Sequence, residues 1–414
     1  MEIPRSACAD RNRNVGGRAG EGDDHTGGGA VSSCPAPVAE LRERITEFVT
    51  RRVIPQEPAL DAGGPTAART LAALQEVAKR EGLWALPLPV ELGGQGLPLT
   101  SYAPLAEAEG ASDHGPAALG SATLLDARML HRHATLRLRT RFLPPLTAGR
   151  LRSAYAMTEP EAPGSDPLLT RTRAEAGADG SWKVRGRKWF TTAAAEADFV
   201  TVLARTDGEP PDRHGLSLLL VPTDAPGFRL VRELPILGVG GQWEIELDDV
   251  RVPADHLVGE RGQALAVAAQ RLQLGRTLRC LRWLGQADRA FALMRTRARE
   301  RTLRDGPLGN HQLVQQQLFE ALLAVRSTRP LVHEAARLIE AGHDARIEVG
   351  LAKVAAARML QHVADAAIQV HGAAGLGPDT PLPALFRMGR LARLLDGPDE
   401  LHITSVARRV LRDE

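Results

Sequence analysis

Hydrophobic spacing changes period twice along this chain, and that order limits the folds open to it. Apolar residues recur at helical spacing from Val38 to Arg52. Ala67 to Glu81 and Ser101 to Gly110 read the same way, parted by the turn Glu91-Leu-Gly-Gly-Gln-Gly96. Ser121 to Leu143 continues as helix and stops before Pro144-Pro145. Near Ser153 the pattern switches. Trp182–Phe190, Phe199–Leu203 and Leu216–Val221 read as strands bounded by turns, Glu244–Asp248 alternates with period two, and Val250–Pro253 extends it. From Gly262 the helical period returns. Ala264 to Arg304 contains no Pro, has only Gly275 and Gly285 as weak points, and predicts one long helix. Further helices are expected over His311–Glu340, Asp344–Val370 and from Pro398 onward. Helices, then strands, then helices exclude an alternating βαβ sheet. The expected fold is mostly α with a central β-domain, a small barrel or sandwich.

The predicted divisions are a tail over 1–36, an N-terminal helical domain over 37–152, a middle β-domain over 153–258 and a C-terminal helical bundle over 259–414. The tail is rich in Gly, Arg, Asp and Ser and has little to bury, so it reads as disordered or as residues from an early start codon. Its acidic residues argue against an organelle transit peptide, and it has no apolar core for a secretory signal. Cys8, Cys34 and Cys280 lie too far apart in sequence for a disulfide framework or zinc spacing, which fits a reducing, cytoplasmic setting. No apolar run reaches membrane-spanning length. With a formal net charge of +2, there is no global electrostatic case for nucleic acid.

Familiar cofactor and hydrolase motifs are missing. No Gly-x-Gly-x-x-Gly joins a strand to a helix, and there is no Walker loop, His-Glu-x-x-His or Gly-x-Ser-x-Gly. Gly238-Val-Gly-Gly241 is an ordinary turn. The informative segment is Tyr155-Ala-Met-Thr-Glu-Pro-Glu-Ala-Pro-Gly-Ser-Asp166. It starts as a strand, breaks at Pro160, and turns through Pro163, Gly164 and Ser165. Such a turn exposes backbone N–H groups and small hydroxyls that suit a polar cofactor, although the same composition also serves a plain inter-strand loop.

In residue order this segment resembles the flavin-binding signature of the acyl-CoA dehydrogenase family. Three further anchors carry the resemblance: Gly186-Arg-Lys-Trp-Phe-Thr-Thr192, then Val250-Arg-Val-Pro253 with Leu257-Val-Gly259 before a long helix, and Gln369-Val-His-Gly-Ala-Ala-Gly375 followed by Arg387 and Asp396-Gly397. Pro89 to Gly96 adds a family-like turn, and the order and spacing match over roughly 37–414. The resemblance implies a helical domain, a small β-domain and a four-helix bundle holding FAD. It assigns Tyr155, Met157 and Thr158 to the flavin side, with Thr192 directed at N5. Phe190 takes the place of the family's Trp beside the ring. Arg301, Gln312, Gln369 and Gly372 fall on the adenine and pyrophosphate half, held in the family by a neighbouring subunit. After Arg301 the chain departs from the family, with Arg304 and Asp305 where Phe and Gly are usual.

The implied reaction removes two hydrogens across Cα–Cβ of an acyl thioester, a carboxylate taking the α-proton while hydride leaves Cβ for the flavin. That carboxylate is expected to be partly desolvated, which raises its proton affinity. Asp396 in Asp396-Gly-Pro-Asp-Glu400 aligns with the usual catalytic Glu; the family's other base position is Gly275, which has no side chain. Asp396 could alternatively cap the helix near Pro398, and Glu400 is a weaker candidate base. Ser165, Arg276 and Gly397 fall to the substrate side, Arg276 near the CoA phosphates. The acidic residue usual three positions before Arg276 is Gln273, which leaves a carrier-bound acyl chain open beside acyl-CoA. An electron-transfer flavoprotein partner and a homotetramer or homodimer are implied. Alternatives are a same-fold flavin oxidase or monooxygenase, such as a nitroalkane oxidase, and a binder without dehydrogenase activity. No metal is expected.

Overall fold

The computed structural model describes residues 37–412. The predicted tail over 1–36 lies outside the described residues. The N-terminal part is helical: α1 (Val38–Phe48), α2 (Glu57–Asp61), α3 (Gly64–Arg80), α4 (Leu99–Gly110), α5 (Gly115–Ala118), α6 (Leu124–His133) and α7 (Leu136–Thr147). α1 buries Leu41, Ile45 and Phe48, the stripe its periodicity predicts, and then loosens into a π turn over Val49–Val53.

The helix expected over Ser121–Leu143 is two helices. Ala134 leaves helical geometry at ψ 153 and bridges Val258, while Gly259 N–H donates to the carbonyl of His133 at 2.8 Å. Thr135 then starts α7, its side chain accepting from Leu138 N at 3.3 Å. A tertiary pairing with a distant segment decides the break. Pro144 and Pro145 do not end the helix as expected. They lie in its last turn, where their carbonyls accept from Ala148 N (3.1 Å) and Arg150 N (2.8 Å).

The middle segment forms β1 (Ser153–Ala156), β2 (Arg173–Ala176), β3 (Trp182–Thr192), β4 (Phe199–Arg205), β5 (Leu216–Pro222), β6 (Phe228–Glu233), β7 (Gln242–Val252) and β8 (Leu257–Val258). They make one eight-stranded sheet in the order β6-β7-β3-β2-β4-β5-β8, with β1 paired to β4 in parallel. Residues from both halves meet in one core: Val184, Ile245 and Leu247 on one side, Val200, Leu219 and Val221 on the other. β2 and β6 have no counterpart in the sequence reading. β6 is half-buried at Phe228 and exposed thereafter, so it has no apolar alternation to read.

The C-terminal part contains α8 (Ala264–Glu300), α9 (Gln312–Glu340), α10 (Arg346–His371), α11 (Leu382–Ala392) and α12 (Asp399–Val410). α8 is the long helix expected, but it stops at Glu300. Beyond it β9 (Thr302–Leu303) pairs with β10 (Gly306–Pro307). α4 crosses α8 at two glycines: a Cβ at Gly285 would lie 2.0 Å from Glu107 O, and one at Gly110 would lie 2.4 Å from Arg282 Cα. Only glycine permits that approach of two backbones.

Candidate active site

The loop after β1 is tied to β3 from beneath. Lys188 Nζ donates to the Met157 carbonyl at 3.0 Å and to Glu159 Oε1 at 2.9 Å, and both charged side chains are buried. Glu159 also accepts from the backbone N–H of Arg171 (2.7 Å) and Thr172 (2.8 Å). Burial pulls the Lys188 ammonium down to about 8, partly opposed by Glu159. Trp189 N–H donates to the Thr158 carbonyl at 3.0 Å, which brings Thr158 beside the 189–192 segment. Gly164 packs on Thr158, where a Cβ would lie 2.8 Å from Thr158 Cγ2. Ser165 is exposed beyond it.

β3 is irregular where the sequence reading places the flavin. Its register with β7 shifts between Lys188 and Thr191, and Phe190 has φ 50. That angle is strained for a bulky residue, and a bulge re-aims the side chain. Phe190 is 43% exposed and packs at a tilt on Trp189, ring centroids 4.7 Å apart. Thr192 is exposed, its hydroxyl donating to Gln242 Oε1 at 3.0 Å. The buried Tyr155 hydroxyl, Trp189 Nε1, Thr191 Oγ1 and Trp243 Nε1 have no partner among the described residues. The exposed Phe190 ring and the Thr192 hydroxyl stand at one surface above these buried groups.

Asp396 lies on the turn between α11 and α12, at φ 56, followed by Gly397 at φ 99. It does not cap α12: Pro398 is the N-cap, and no side chain caps that end. Its carboxylate pairs instead with Arg279, Oδ2 to Nε 2.7 Å. Its carbonyl accepts from Arg276 Nε at 2.9 Å and faces His402 Nε2 at 3.2 Å. Burial, then the Arg276 and Lys353 charges, lower His402 to about 4. The ring is therefore neutral near pH 7 and donates from Nε2. The expected rise in proton affinity of Asp396 does not occur. Burial pushes its carboxyl up, but the guanidiniums of Arg279, Arg276 and Arg271 together hold it below the ordinary range. Glu400 is exposed on α12. Gly275 faces Leu125, 3.1 Å from where its Cβ would stand.

Arg271 joins the two regions. Its guanidinium lies over the Tyr155 ring at 4.0 Å and pairs with Asp126 at 2.8 Å, and its charge acts on Asp396. Burial, the largest influence on Tyr155, pushes its hydroxyl up to about 12. Arg271 also reaches the wall of a cavity of about 870 Å³ between α6, α8 and the α9–α10 turn. Arg128, Arg132, His131, His133 and His343 line this cavity, with Glu91 and Glu340. Glu340 accepts from Thr100 N at 2.6 Å.

Arg301, Gln312, Gln369 and Gly372 form a separate group. Arg297 NH2 lies 3.5 Å from the His371 carbonyl, which brings the ends of α8 and α10 together. Arg301 terminates α8, Gln312 opens α9, and Gln369 lies in the last turn of α10. At Gly372 no protein atom lies within 4 Å of a would-be Cβ; its φ of 65 is what requires glycine. Arg279 and Arg301 are separated by about 33 Å along α8 at 1.5 Å per residue. Within one protomer the structure thus brings Tyr155, Met157, Thr158, Phe190 and Thr192 together, and Arg276, Gly397 and Asp396 together. It leaves the group around Arg301 apart.

Sequence reasoning missed Arg279, Arg271 and the Glu159–Lys188 pair. Arg279 lies one turn after Arg276 on the same helix face, and Lys188 is central to the Gly186–Thr192 motif; those were the available signals.

Three family profiles match in order: acyl-CoA dehydrogenase N-terminal domain over 38–150, middle domain over 154–250 and C-terminal domain over 262–411. The chain belongs to the acyl-CoA dehydrogenase family. It is an FAD-dependent oxidoreductase of that family. It is 39% identical to FadE2 of Mycobacterium tuberculosis, named a probable acyl-CoA dehydrogenase, over 92% of this chain and 96% of that one. It is 33% identical to human acyl-CoA dehydrogenase family member 11 over 91% of this chain, but spans only 49% of that protein. Among solved structures, a provisionally assigned acyl-CoA dehydrogenase from Mycobacterium abscessus is 34% identical with a TM-score of 0.85, covering 92% of this chain and 99% of that one. Butyryl-CoA dehydrogenase from Megasphaera elsdenii, 23% identical with a TM-score of 0.81 over 92% of this chain and 99% of that one, shares the fold. Among the described residues no helix is long and apolar enough to cross a membrane.

Proposed function

We propose that this acyl-CoA dehydrogenase oxidises an acyl thioester to its 2,3-enoyl product, with Asp396 as the base. The observation that carries the reading is the Asp396 carboxylate. It caps no helix, is held ionised, and feels the charge of Arg271, whose guanidinium lies over the Tyr155 ring. The exposed ring of Phe190 and the exposed Thr192 hydroxyl support a flavin against that face. Met157 and Thr158 would hold the ring's polar edge, Thr192 would turn its hydroxyl to N5, and Phe190 would supply a π-face. When bound, the flavin supplies a two-electron hydride acceptor. Asp396 Oδ would take the α-proton, and its ionised state at neutral pH favours that direction. Ser165 and Gly397 would border the thioester. Arg276 is engaged with the Asp396 carbonyl, so the cationic wall of the 870 Å³ cavity is the better support for a phosphate-bearing handle. Whether coenzyme A or a carrier protein bears that handle is an outcome of assay. A cytoplasmic setting, with an electron-transfer flavoprotein as acceptor, goes with this reading.

The Asp396→Asn variant is expected to keep its yellow flavin and to lose bleaching of the flavin band on anaerobic mixing with a panel of acyl-CoAs. Persistent bleaching would remove Asp396 from the mechanism. One observation favours a second reading. A carboxylate held low by three arginines is a weak base, which suits a more acidic carbon such as that of a nitroalkane. Oxygen consumption with nitroethane, and no bleaching by acyl-CoAs, would select that same-fold oxidase.

A further inference from the structure

We infer that Arg279 is a positioning residue for Asp396: it aims the carboxylate and keeps it ionised, so that the pH at which the base becomes competent is set from α8. This rests on the reading of Asp396 as the base. Asp396 is held at two points by two residues one turn apart on α8. Arg276 binds its backbone carbonyl at 2.9 Å, and Arg279 binds its carboxylate at 2.7 Å. The turn that carries it runs at positive φ through Asp396 and Gly397. A Cβ at Gly397 would lie 3.0 Å from Leu401 Cδ2 and 3.1 Å from His402 Nε2, so the turn is closely seated. From behind, Asp399 is buried against Lys353 at 3.2 Å and Arg393 at 3.0 Å, which anchors the start of α12. The backbone is therefore pinned without Arg279. What Arg279 alone adds is the contact at the carboxylate.

The other charged or titratable groups around Asp396 can be placed. From α8 these are Arg271, Arg276 and the buried Cys280 thiol, which burial pushes up to about 12. From α10 it is Lys353, whose charge is taken up by Asp399. From α12 these are Asp399 and the neutral His402. Arg393, just past α11, is directed at Asp399. Only Arg279 ion-pairs with the Asp396 carboxylate among the described residues. A carboxylate one methylene shorter than the family's Glu has less freedom to find its own geometry, and a guanidinium in contact supplies the aim.

The experiment uses the FAD-loaded enzyme and 3-thiaoctanoyl-CoA. Such a thioester can lose its α-proton without passing hydride on, and the resulting anion is read as a long-wavelength charge-transfer band. The band is titrated between pH 3 and 7 in wild type, Arg279→Gln and Arg279→Lys, because the wild-type carboxyl titrates below the ordinary carboxylate range. An opposite charge in contact lowers a carboxyl by about 1–3 units, and partial exposure of Arg279 places the effect at the low end. Removing the charge raises the Asp396 pKa, so the midpoint for band formation moves up by about one pH unit in Arg279→Gln. The Lys variant keeps the charge and loses the fork, so its midpoint falls between the two. Coincident midpoints in all three proteins overturn the inference, as does an Arg279→Gln midpoint below wild type. If one variant fails to retain flavin, the other still decides by the same comparison. Loss of flavin from both assigns Arg279 a structural role and overturns the inference as well. Asp396→Asn is the separate control. A band that forms in it unseats Asp396 as the base, whatever Arg279 does.

Discussion

At the residue scale, charge placement matters more than charge number. Lys188 and Glu159 are buried together under the loop that follows β1, and Glu159 also satisfies two backbone donors. Removing one partner strands the other in a low dielectric, a loss of about 3–5 kcal/mol. Lys188→Met is therefore expected to lower the unfolding free energy, read from urea denaturation, by that amount and to reduce the flavin content of purified protein. Normal stability with normal flavin would show that the pair is not the loop's anchor. The pair was hard to read from sequence because a Lys in a strand motif and a Glu in a turn are individually ordinary surface residues. Only the register of β3 against the loop makes them partners. Asp396 is the reverse case. Its identity and position were legible, but its charge environment was not, because Arg271, Arg276 and Arg279 converge on it from a helix more than a hundred residues earlier.

At the element scale, α4 carries a buried carboxyl that responds to pH. Burial raises Glu109 to about 7, partly offset by hydrogen bonds from Ser121 and Tyr102 and by the Arg282 charge. The folded protein thus binds a proton at Glu109 that the unfolded chain releases near pH 4.5. Its contribution to stability is full below that pH and is lost as pH rises through about 7, a change of about 3 kcal/mol. Stability curves of wild type and Glu109→Gln are expected to diverge by that amount over pH 4.5–7, the variant being flatter. Parallel curves would mean that Glu109 is ionised in the native state. Long helices were the easiest elements to read, because α8, α9 and α10 each sustain their period over many turns. The break at Ala134 was not readable. It is made by Val258 and Gly259, which have no local signature in the 121–143 segment. α11 was passed over because it is short and sits between two loops.

At the scale of the whole molecule, Arg301 lies about 33 Å along α8 from Arg279, and we propose that a second copy of the chain supplies the adenine end of each proposed site. Losing a charge-assisted hydrogen bond costs about 1.5–3 kcal/mol, or roughly ten- to hundredfold in affinity. Arg301→Ala is expected to weaken FAD binding by that factor, read by fluorescence titration of apoprotein, and to leave flavin reduction normal at saturating FAD. Mixing Arg301→Ala with Asp396→Asn subunits should then restore tight, reducible flavin at one site per hybrid pair. Failure to restore it would place Arg301 outside a shared site. The order of helices and strands, the family and the candidate base follow from the sequence by itself, because hydrophobic period and short motifs are local properties of a chain. Tertiary structure alone decided the rest: the bulge that turns Phe190 outward, the pairing that splits α6 from α7, and the three arginines that hold Asp396 ionised. Each depends on groups distant in sequence meeting at a few ångströms, where burial and charge set an energy that no local pattern records.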